Sequence, residues 1–259
     1  MGILQTAERS TQLDPSENVI FQRHLIAYKE AAKIITKGTI LEIGSGEGYA
    51  IQELLKNADR YIAIDKYDTQ IPDSIRDRNK IEFKKYEVPP IKDIEDNSVD
   101  FVVTFQVIEH IKNDVLFLAE IYRVLRPGGK LILTTPNSKM SLSRNPWHIR
   151  EYTVSQMEEI LGTSFSDYTV HGVYGNEQIM RYYMKNKESV RQIMKWDIFN
   201  LQYLLPRILL QIPYDILNRF NRKNLRNKNK GIVKKINFTD YSIQEASESS
   251  FDHFCVATK

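Results

Sequence analysis

The stretch ILEIGSGEGY, residues 40–49, decides the fold because it joins a short apolar strand directly to a glycine-rich turn. A strand that turns sharply into a helix exposes backbone N–H groups, and glycines let a ligand approach that backbone closely. The next apolar segment, residues 61–64, ends at Asp65, whose carboxylate can accept hydrogen bonds from the hydroxyls of a ribose. Together these features predict a ligand that contains a nucleoside. The alternative is that the glycine-rich turn has only a structural role and that Asp65 is an ordinary acidic residue on the surface.

Outward from this turn, strands and helices alternate along most of the chain. Residues at helical spacing predict an amphipathic helix over 15–37, and a third strand is expected at 81–83. Residues 100–104 form an apolar run of the kind that is buried on both faces of a sheet. The helix after it is predicted to stop at Pro-Gly-Gly, residues 127–129, before a strand over 130–134. This order predicts an α/β fold with a Rossmann-like, doubly wound and mostly parallel sheet.

Two segments near the C-terminus alternate like strands, namely residues 165–173 and residues 251–258. We expect them to pair as an antiparallel hairpin, with a helical insertion between its two strands. The predicted organisation has four parts, which are an N-terminal segment and helix covering the ligand site (1–37), a Rossmann-like core (38–174), a basic helical insertion (175–237) and a final strand that completes the core sheet (238–259).

The composition is that of an ordinary globular protein, with 259 residues, 42% hydrophobic and 27% charged. A single cysteine, Cys255, excludes an intramolecular disulfide and a cysteine-rich zinc module. No apolar run approaches the roughly 18–20 residues that span a bilayer, and the first residues lack a secretory pattern, so the predicted location is cytoplasmic. The net charge of +3 hides an asymmetry, because residues 175–237 hold fourteen basic and four acidic side chains. Such a change in charge is typical of an inserted segment with its own surface role.

The spacing of the glycines distinguishes a dinucleotide from other ligands that contain a nucleoside. A dinucleotide fingerprint requires a third glycine where this chain has Tyr49. Four blocks occur in a characteristic order and spacing: ILEIGSGEGY (40–49), YIAID (61–65), EDNSVDFVVTFQVIEHI (95–111) and EIYRVLRPGGKLILTTPN (120–137). Together they resemble the class I S-adenosylmethionine-dependent methyltransferases. The flanking segments RHLIAYKEAA (23–32) and NPWHIREYT (145–153) are similar to a type 11-like subgroup of that family, which acts on small molecules, sugars or lipid-linked intermediates.

The resemblance implies that S-adenosylmethionine is the cofactor and S-adenosylhomocysteine the product. It implies transfer of a methyl group by direct in-line displacement to an oxygen or nitrogen nucleophile. The residues that it implies in cofactor binding are Tyr28, Glu42, Gly44, Ser45, Gly46, Asp65, Lys66, Glu87 and Gln106. Glu87 departs from the family pattern, which usually places an Asp just after the third strand, and we expect Glu87 to substitute for it.

A hydroxyl acceptor needs a general base, and His148 is the candidate because it follows the fifth strand, with Glu151 close by. The alternative is that His148 only orients the entry to the helix that residues 153–156 cap. His110 is a further site-lining candidate by resemblance, whereas His24 on the first helix fits a buried structural histidine. No set of His, Asp and Glu residues has the spacing of a metal site, so no metal is predicted.

The insertion carries regularly spaced apolar residues from Leu201 to Phe220, flanked by arginines and lysines. Pro206 and Pro213 each suit the first turn of a helix, which predicts two or three short amphipathic pieces. Such a segment could form a helical cap over the sheet, a peripheral membrane patch or an RNA-binding surface. The predicted function is methyl transfer to a small-molecule, sugar or lipid-linked acceptor, with nucleic acid as the less expected partner. The alternatives are an RNA methyltransferase and a non-catalytic protein that binds S-adenosylmethionine.

Overall fold

The computed structural model describes residues 15–48, 50–68, 71, 73–78, 81–198, 200–228 and 230–259. A sheet of eight strands runs through it in the order β3-β2-β1-β4-β5-β8-β6-β7. The strands are β1 (Gly38–Ile43), β2 (Ala58–Asp65), β3 (Glu82–Lys85), β4 (Val99–Phe105), β5 (Leu125–Pro136), β6 (Asp167–Gly175), β7 (Tyr241–Glu245) and β8 (Asp252–Thr258). The helices are α1 (Asn18–Ile34), α2 (Ile51–Leu55), α3 (Asp73–Arg78), α4 (Asp114–Val124), α5 (Val154–Gly162), α6 (Glu177–Met194), α7 (Leu201–Leu204), α8 (Arg207–Lys228) and α9 (Lys230–Val233).

The sheet is parallel in its first part and antiparallel in its last part. Strands β3, β2, β1, β4 and β5 pair in parallel, which confirms the predicted α/β fold. Strands β6 and β8 pair antiparallel, as expected, and helices α6 to α9 lie between them in the chain. Strand β7 was not predicted: it pairs with β6 and forms the outer edge of the sheet.

The central strands are buried on both faces because helices cover both sides of the sheet. In β1, Ile40 packs on the side of α1 and α2, and Leu41 packs on the side of α4 and α5. In β4, Val103 packs on the side of α1 and α2, and Val102 packs on the side of α4 and α5. All four side chains are fully buried. Burial on both faces is typical of parallel sheets. It fixes the carboxyl ends of β1, β2 and β4 side by side at one edge.

Three local predictions differ from the structure. Helix α1 covers Asn18–Ile34 and is shorter than the predicted 15–37. Helix α4 ends before the Pro-Gly-Gly segment, which lies inside β5, because Leu125 already has an extended backbone and pairs with Val99. The expectation that Pro213 starts a helix is wrong, since α8 continues through it. Proline has no N–H to donate, so α8 lacks one intrahelical bond there, and packing against α6 holds the helix together.

His253 in β8 is fully buried beside the backbone of Tyr152. Its Nε2 lies 2.9 Å from the Tyr152 carbonyl oxygen, and Nδ1 has no hydrogen-bond partner among the residues that the structure describes. Burial lowers the pKa of this imidazole below its usual value, because a charged ring would lose its hydration there. The folded protein therefore keeps His253 neutral.

We expect the free energy of unfolding to decrease as the pH falls below about 6.5, the pKa of an exposed histidine. In that range the unfolded chain takes up a proton at His253 that the folded protein does not bind. His253→Gln keeps a donor for the Tyr152 carbonyl and should lose less stability between neutral and mildly acidic pH. Urea unfolding of both proteins at the two pH values measures the difference, and equal losses would contradict this account.

Candidate active site

A cavity of about 710 Å³ opens where β1, β2 and β4 end, and we call it the glycine-turn cavity. Open α/β sheets bind ligands at the carboxyl ends of their strands. Eight of the nine residues predicted to hold a cofactor lie on its wall: Tyr28, Gly44, Ser45, Gly46, Asp65, Lys66, Glu87 and Gln106. The ninth, Glu42, is buried behind the wall.

The glycine turn follows β1 and needs glycine for two different reasons. Gly44 has a φ of +79°, and a Cβ added there would lie 2.3 Å from the Val107 side chain. Gly46 has a φ of +54°, and a Cβ added there would have no atom closer than 4.0 Å. Gly44 is therefore required by packing and by backbone conformation, whereas Gly46 is required by conformation alone.

Asp65 connects the glycine turn to the end of β2 through hydrogen bonds. Its Oδ2 accepts a hydrogen bond from the Gly46 N–H at 2.8 Å, and its Oδ1 accepts one from the Tyr67 N–H at 2.9 Å. The side chain is largely buried yet forms part of the cavity wall. A carboxylate has about four acceptor positions, so both oxygens can also accept hydrogen bonds from ligand hydroxyls.

Two further wall residues have features that suit a bound ligand. The hydroxyl of Ser45 is buried and has no hydrogen-bond partner among the residues that the structure describes. Gln106 follows β4 with a φ of +57°, an uncommon conformation for a residue other than glycine, and its amide lies 3.3 Å from the Thr134 hydroxyl. Backbone strain of this kind is concentrated at functional sites.

A second cavity of about 270 Å³ adjoins the first, and we call it the His148 cavity. Its wall comes from α1, from residues 136–151 and from helices α6 and α8 of the insertion. Three residues belong to the walls of both cavities: His24, Gln106 and His110. The two cavities therefore meet beside the end of β4.

Residues 41–133 match the family model described as a methyltransferase domain. The matched region contains the glycine turn, Asp65 and Gln106, so the match falls on the wall of the glycine-turn cavity. This part of the chain is therefore similar to a methyltransferase domain.

Proteins similar to this chain occur in mycobacteria. A probable S-adenosylmethionine-dependent methyltransferase of Mycolicibacterium smegmatis is 36% identical over 165 residues, which cover 61% of this chain and 63% of the relative. One of Mycobacterium tuberculosis is 35% identical over 176 residues, covering 65% of this chain and 64% of the relative. The chain thus spans a little under two thirds of the length of these relatives.

A solved structure shares the fold of this chain. It is described as a S-adenosylmethionine-dependent methyltransferase, possible histamine N-methyltransferase, from Thermotoga maritima. The match has a TM-score of 0.56 at 15% identity and covers 94% of this chain and 92% of that chain. At this identity the likeness concerns the fold alone.

His148 is held at both ring nitrogens. Its Nδ1 lies 2.6 Å from a Glu151 carboxylate oxygen, and its Nε2 lies 2.8 Å from the side-chain nitrogen of Asn145. The Asn145 amide oxygen accepts from the Trp147 N–H at 3.1 Å, which fixes the orientation of that amide. The neutral ring therefore carries its proton on Nδ1, facing Glu151, and its lone pair on Nε2, facing Asn145.

The fold brings three titratable side chains together at the junction of the cavities. Glu109, His110 and His148 each offer a ligand atom, and these atoms lie within 4.8 Å of one another. The rings of His110 and His148 meet edge to face, with their centres 4.9 Å apart. Sequence spacing did not reveal this cluster, because the loop over 141–150 folds back onto the short helical turn that contains Glu109. The absence of a metal stays a prediction.

The insertion supplies wall residues that sequence reasoning missed. Tyr183 of α6 donates its hydroxyl hydrogen to the Met140 carbonyl at 3.1 Å. Asn221 of α8 is buried, accepts from the Ser189 hydroxyl at 2.6 Å and donates to Asn186 at 2.8 Å. A signal for Asn221 existed in the sequence, since a polar residue at a buried position of an amphipathic helix needs a specific partner. No such signal marks Tyr183.

Glu42 supports the cavity from behind. Its two carboxylate oxygens accept hydrogen bonds from the hydroxyls of Tyr28, at 2.7 Å, and Tyr61, at 2.8 Å. Burial raises the pKa of this carboxyl, and the two tyrosine hydrogen bonds oppose that effect. Glu42 therefore positions Tyr28, which itself lies on the wall of the glycine-turn cavity.

We expect Tyr61→Phe to lower the free energy of unfolding by about 1–3 kcal/mol, because it removes a donor from the buried Glu42 carboxyl. Tyr122→Phe is the matched control, since the Tyr122 ring is 38% exposed, and it should change stability by less than about 0.5 kcal/mol. Chemical denaturation of the three proteins at pH 7 measures both changes. If the two variants were equally stable, the hydrogen bonds to Glu42 would make no contribution to the free energy of unfolding.

Proposed function

We propose that the protein is an S-adenosylmethionine-dependent methyltransferase that acts on an oxygen or nitrogen nucleophile of a small-molecule, sugar or lipid-linked acceptor. The observation that carries the proposal is the contact between the glycine-turn cavity and the His148 cavity at His24, Gln106 and His110. A methyl donor in the first cavity and an acceptor in the second would meet there without a further conformational change. The names of the mycobacterial relatives support the same reaction class.

The residues of the glycine-turn cavity fit the cofactor. Its volume of about 710 Å³ lies within the roughly 300–1,000 Å³ of small-molecule pockets. Asp65 offers acceptors for the ribose hydroxyls, and the buried Ser45 hydroxyl offers a polar partner that the surrounding protein does not use. When bound, S-adenosylmethionine supplies a methyl group on a positively charged sulfur, which an oxygen or nitrogen lone pair displaces directly.

The chain's own contribution is to align the acceptor and to exclude water. Alignment of two reactants can supply up to about 7–11 kcal/mol in the best intramolecular cases. Helices α6 and α8 cover the His148 cavity and leave about 270 Å³, a volume suited to a small acceptor group. This enclosure favours a small polar group over an exposed polynucleotide strand, so RNA methylation stays the weaker alternative.

The proposed base is His148, which would take up the acceptor's proton. Glu151 holds the proton on Nδ1 and would stabilise the imidazolium that forms when Nε2 accepts a second proton. The acceptor hydroxyl would replace the Asn145 amide as the donor to Nε2. An acceptor that is already a neutral amine would need this base less.

Asp65→Ala should weaken binding of S-adenosylhomocysteine by about 1–3 kcal/mol, or roughly five- to 150-fold, because it removes the predicted acceptors for the ribose. Asp68→Ala is the matched control: Asp68 is exposed, pairs with Lys85 and lies outside the cavity wall. Isothermal titration calorimetry measures both affinities. Equal affinities in the two variants would contradict the proposed site, and no binding by the wild type would reject the cofactor.

With a hydroxyl acceptor, His148→Gln should lower kcat by about 10²–10⁴-fold and leave the affinity for S-adenosylhomocysteine unchanged. His171→Gln, on β6 and outside both cavities, should retain full activity. Release of S-adenosylhomocysteine, with acceptors drawn from small polar and lipid-linked compounds, gives the rate. An unchanged kcat in His148→Gln would leave His148 as a structural residue. Cofactor binding without turnover on any acceptor would support the non-catalytic alternative.

A further inference from the structure

The insertion exposes an unusual amount of apolar surface. Sixteen large hydrophobic side chains are exposed in the described part of the chain, and eleven of them fall between residues 196 and 220. The most exposed are Trp196, Ile198, Leu204, Ile208, Ile212 and Phe220, at 68–86%. Apolar surface exposed in this amount within one segment is typical of an interaction surface.

Helix α8 is apolar on two different faces. One face carries Ile208, Leu209, Ile212 and Ile216, whose helical spacing places them together and whose side chains are 60–74% exposed. We call this face, together with Tyr203 and Leu204 of α7, the outer apolar face. The opposite face, which includes Leu210, turns inward.

Beneath the inward face lies a third cavity, of about 1,160 Å³, between α6, α7 and α8. We call it the insertion cavity. Its wall is mainly apolar and includes Ile193, Leu201, Leu210, Leu217 and Leu225. None of Ile208, Leu209, Ile212 and Ile216 belongs to that wall.

The insertion cavity leads to the reaction site. Ser143, Tyr214 and Asn221 belong to the walls of both the insertion cavity and the His148 cavity. The His148 cavity in turn meets the glycine-turn cavity. A mainly apolar cavity, a cavity with a mixed polar and apolar wall and the proposed cofactor site therefore follow one another. This order matches an amphipathic molecule with an apolar tail and a polar head.

The insertion that carries the outer apolar face has an excess of positive charge. Residues 175–237 carry a net charge of +10, whereas the remainder of the chain carries −7. Lys195 and Lys223 are exposed within three positions of Trp196 and Phe220, two exposed apolar residues that also line the insertion cavity. Apolar side chains bordered by lysine and arginine are typical of helices that lie in the interface of an anionic membrane. Among the described helices, none is long and apolar enough to cross a bilayer.

We propose that the outer apolar face docks on an anionic lipid surface and that the acceptor is a lipid whose tail occupies the insertion cavity and whose polar head enters the His148 cavity. The methylation of that head rests on the proposed function, whereas docking and tail binding do not. A second copy of this chain is the competing occupant, and the excess positive charge around the face opposes it, since two copies would bring like charges together.

Vesicle binding tests the docking surface. The wild type should bind vesicles of phosphatidylglycerol and phosphatidylcholine, bind those of phosphatidylcholine alone weakly, and lose affinity as salt rises. Ile212→Asp combined with Ile216→Asp should weaken binding by at least about tenfold. Val115→Asp is the matched control, because Val115 is 47% exposed on α4, outside the insertion, and it should bind like the wild type.

Three outcomes would overturn docking. They are no binding of the wild type to anionic vesicles, equal loss in Val115→Asp, and a dimer in sedimentation that the double variant converts to a monomer. Circular dichroism of each variant shows that the fold is retained.

A lysophosphatidylglycerol with a fluorescent acyl chain, used below its micelle concentration, tests the tail site. Leu210→Trp fills the insertion cavity and should weaken probe binding by at least about tenfold, whereas Leu209→Trp, on the outer face, should not. Equal affinities of the two variants would refute the tail site. Calorimetry with S-adenosylhomocysteine separates the hypotheses, because its failure in the wild type rejects the proposed reaction and leaves the vesicle and probe results valid.

Discussion

The hydrogen bond from the Gly46 N–H to Asp65 Oδ2, at 2.8 Å, joins the glycine turn after β1 to the end of β2. It is possible only because parallel pairing brings the two strands to the same edge of the sheet, with Ile43 opposite Ile64. Burial on both faces fixes that pairing, since a shift by one residue would move Ile40 and Leu41 to the wrong sides. The site thus depends on the core of the sheet rather than on the loops alone.

The second half of the chain supplies the helices that lie over this edge of the sheet. Because β6 and β8 pair next to β5, the insertion between them starts and ends beside the carboxyl ends of the parallel strands. Helices α6 and α8 can then cover the His148 cavity, and the buried Asn221 joins them through Ser189 and Asn186. The insertion therefore forms part of the wall of the His148 cavity and, on its outer side, an exposed apolar surface.

Local sequence predicted the features that depend on backbone chemistry. The glycine turn, Asp65 and the strands around them follow from residue types that allow few other structures. Glu42 was predicted to bind the cofactor, and its position behind the wall depends on Tyr61, nineteen positions along the chain. The helix across Pro213 and the edge strand β7 escaped prediction because packing against distant segments decides both. The meeting of the three cavities is likewise a property of the folded chain.

A crystal structure of the protein with S-adenosylhomocysteine tests the central claim most directly. The account predicts ribose hydroxyls within hydrogen-bond distance of the Asp65 carboxylate and a sulfur that faces the junction at His24, Gln106 and His110. A ligand bound outside the glycine-turn cavity, or one whose sulfur points away from the His148 cavity, would contradict it.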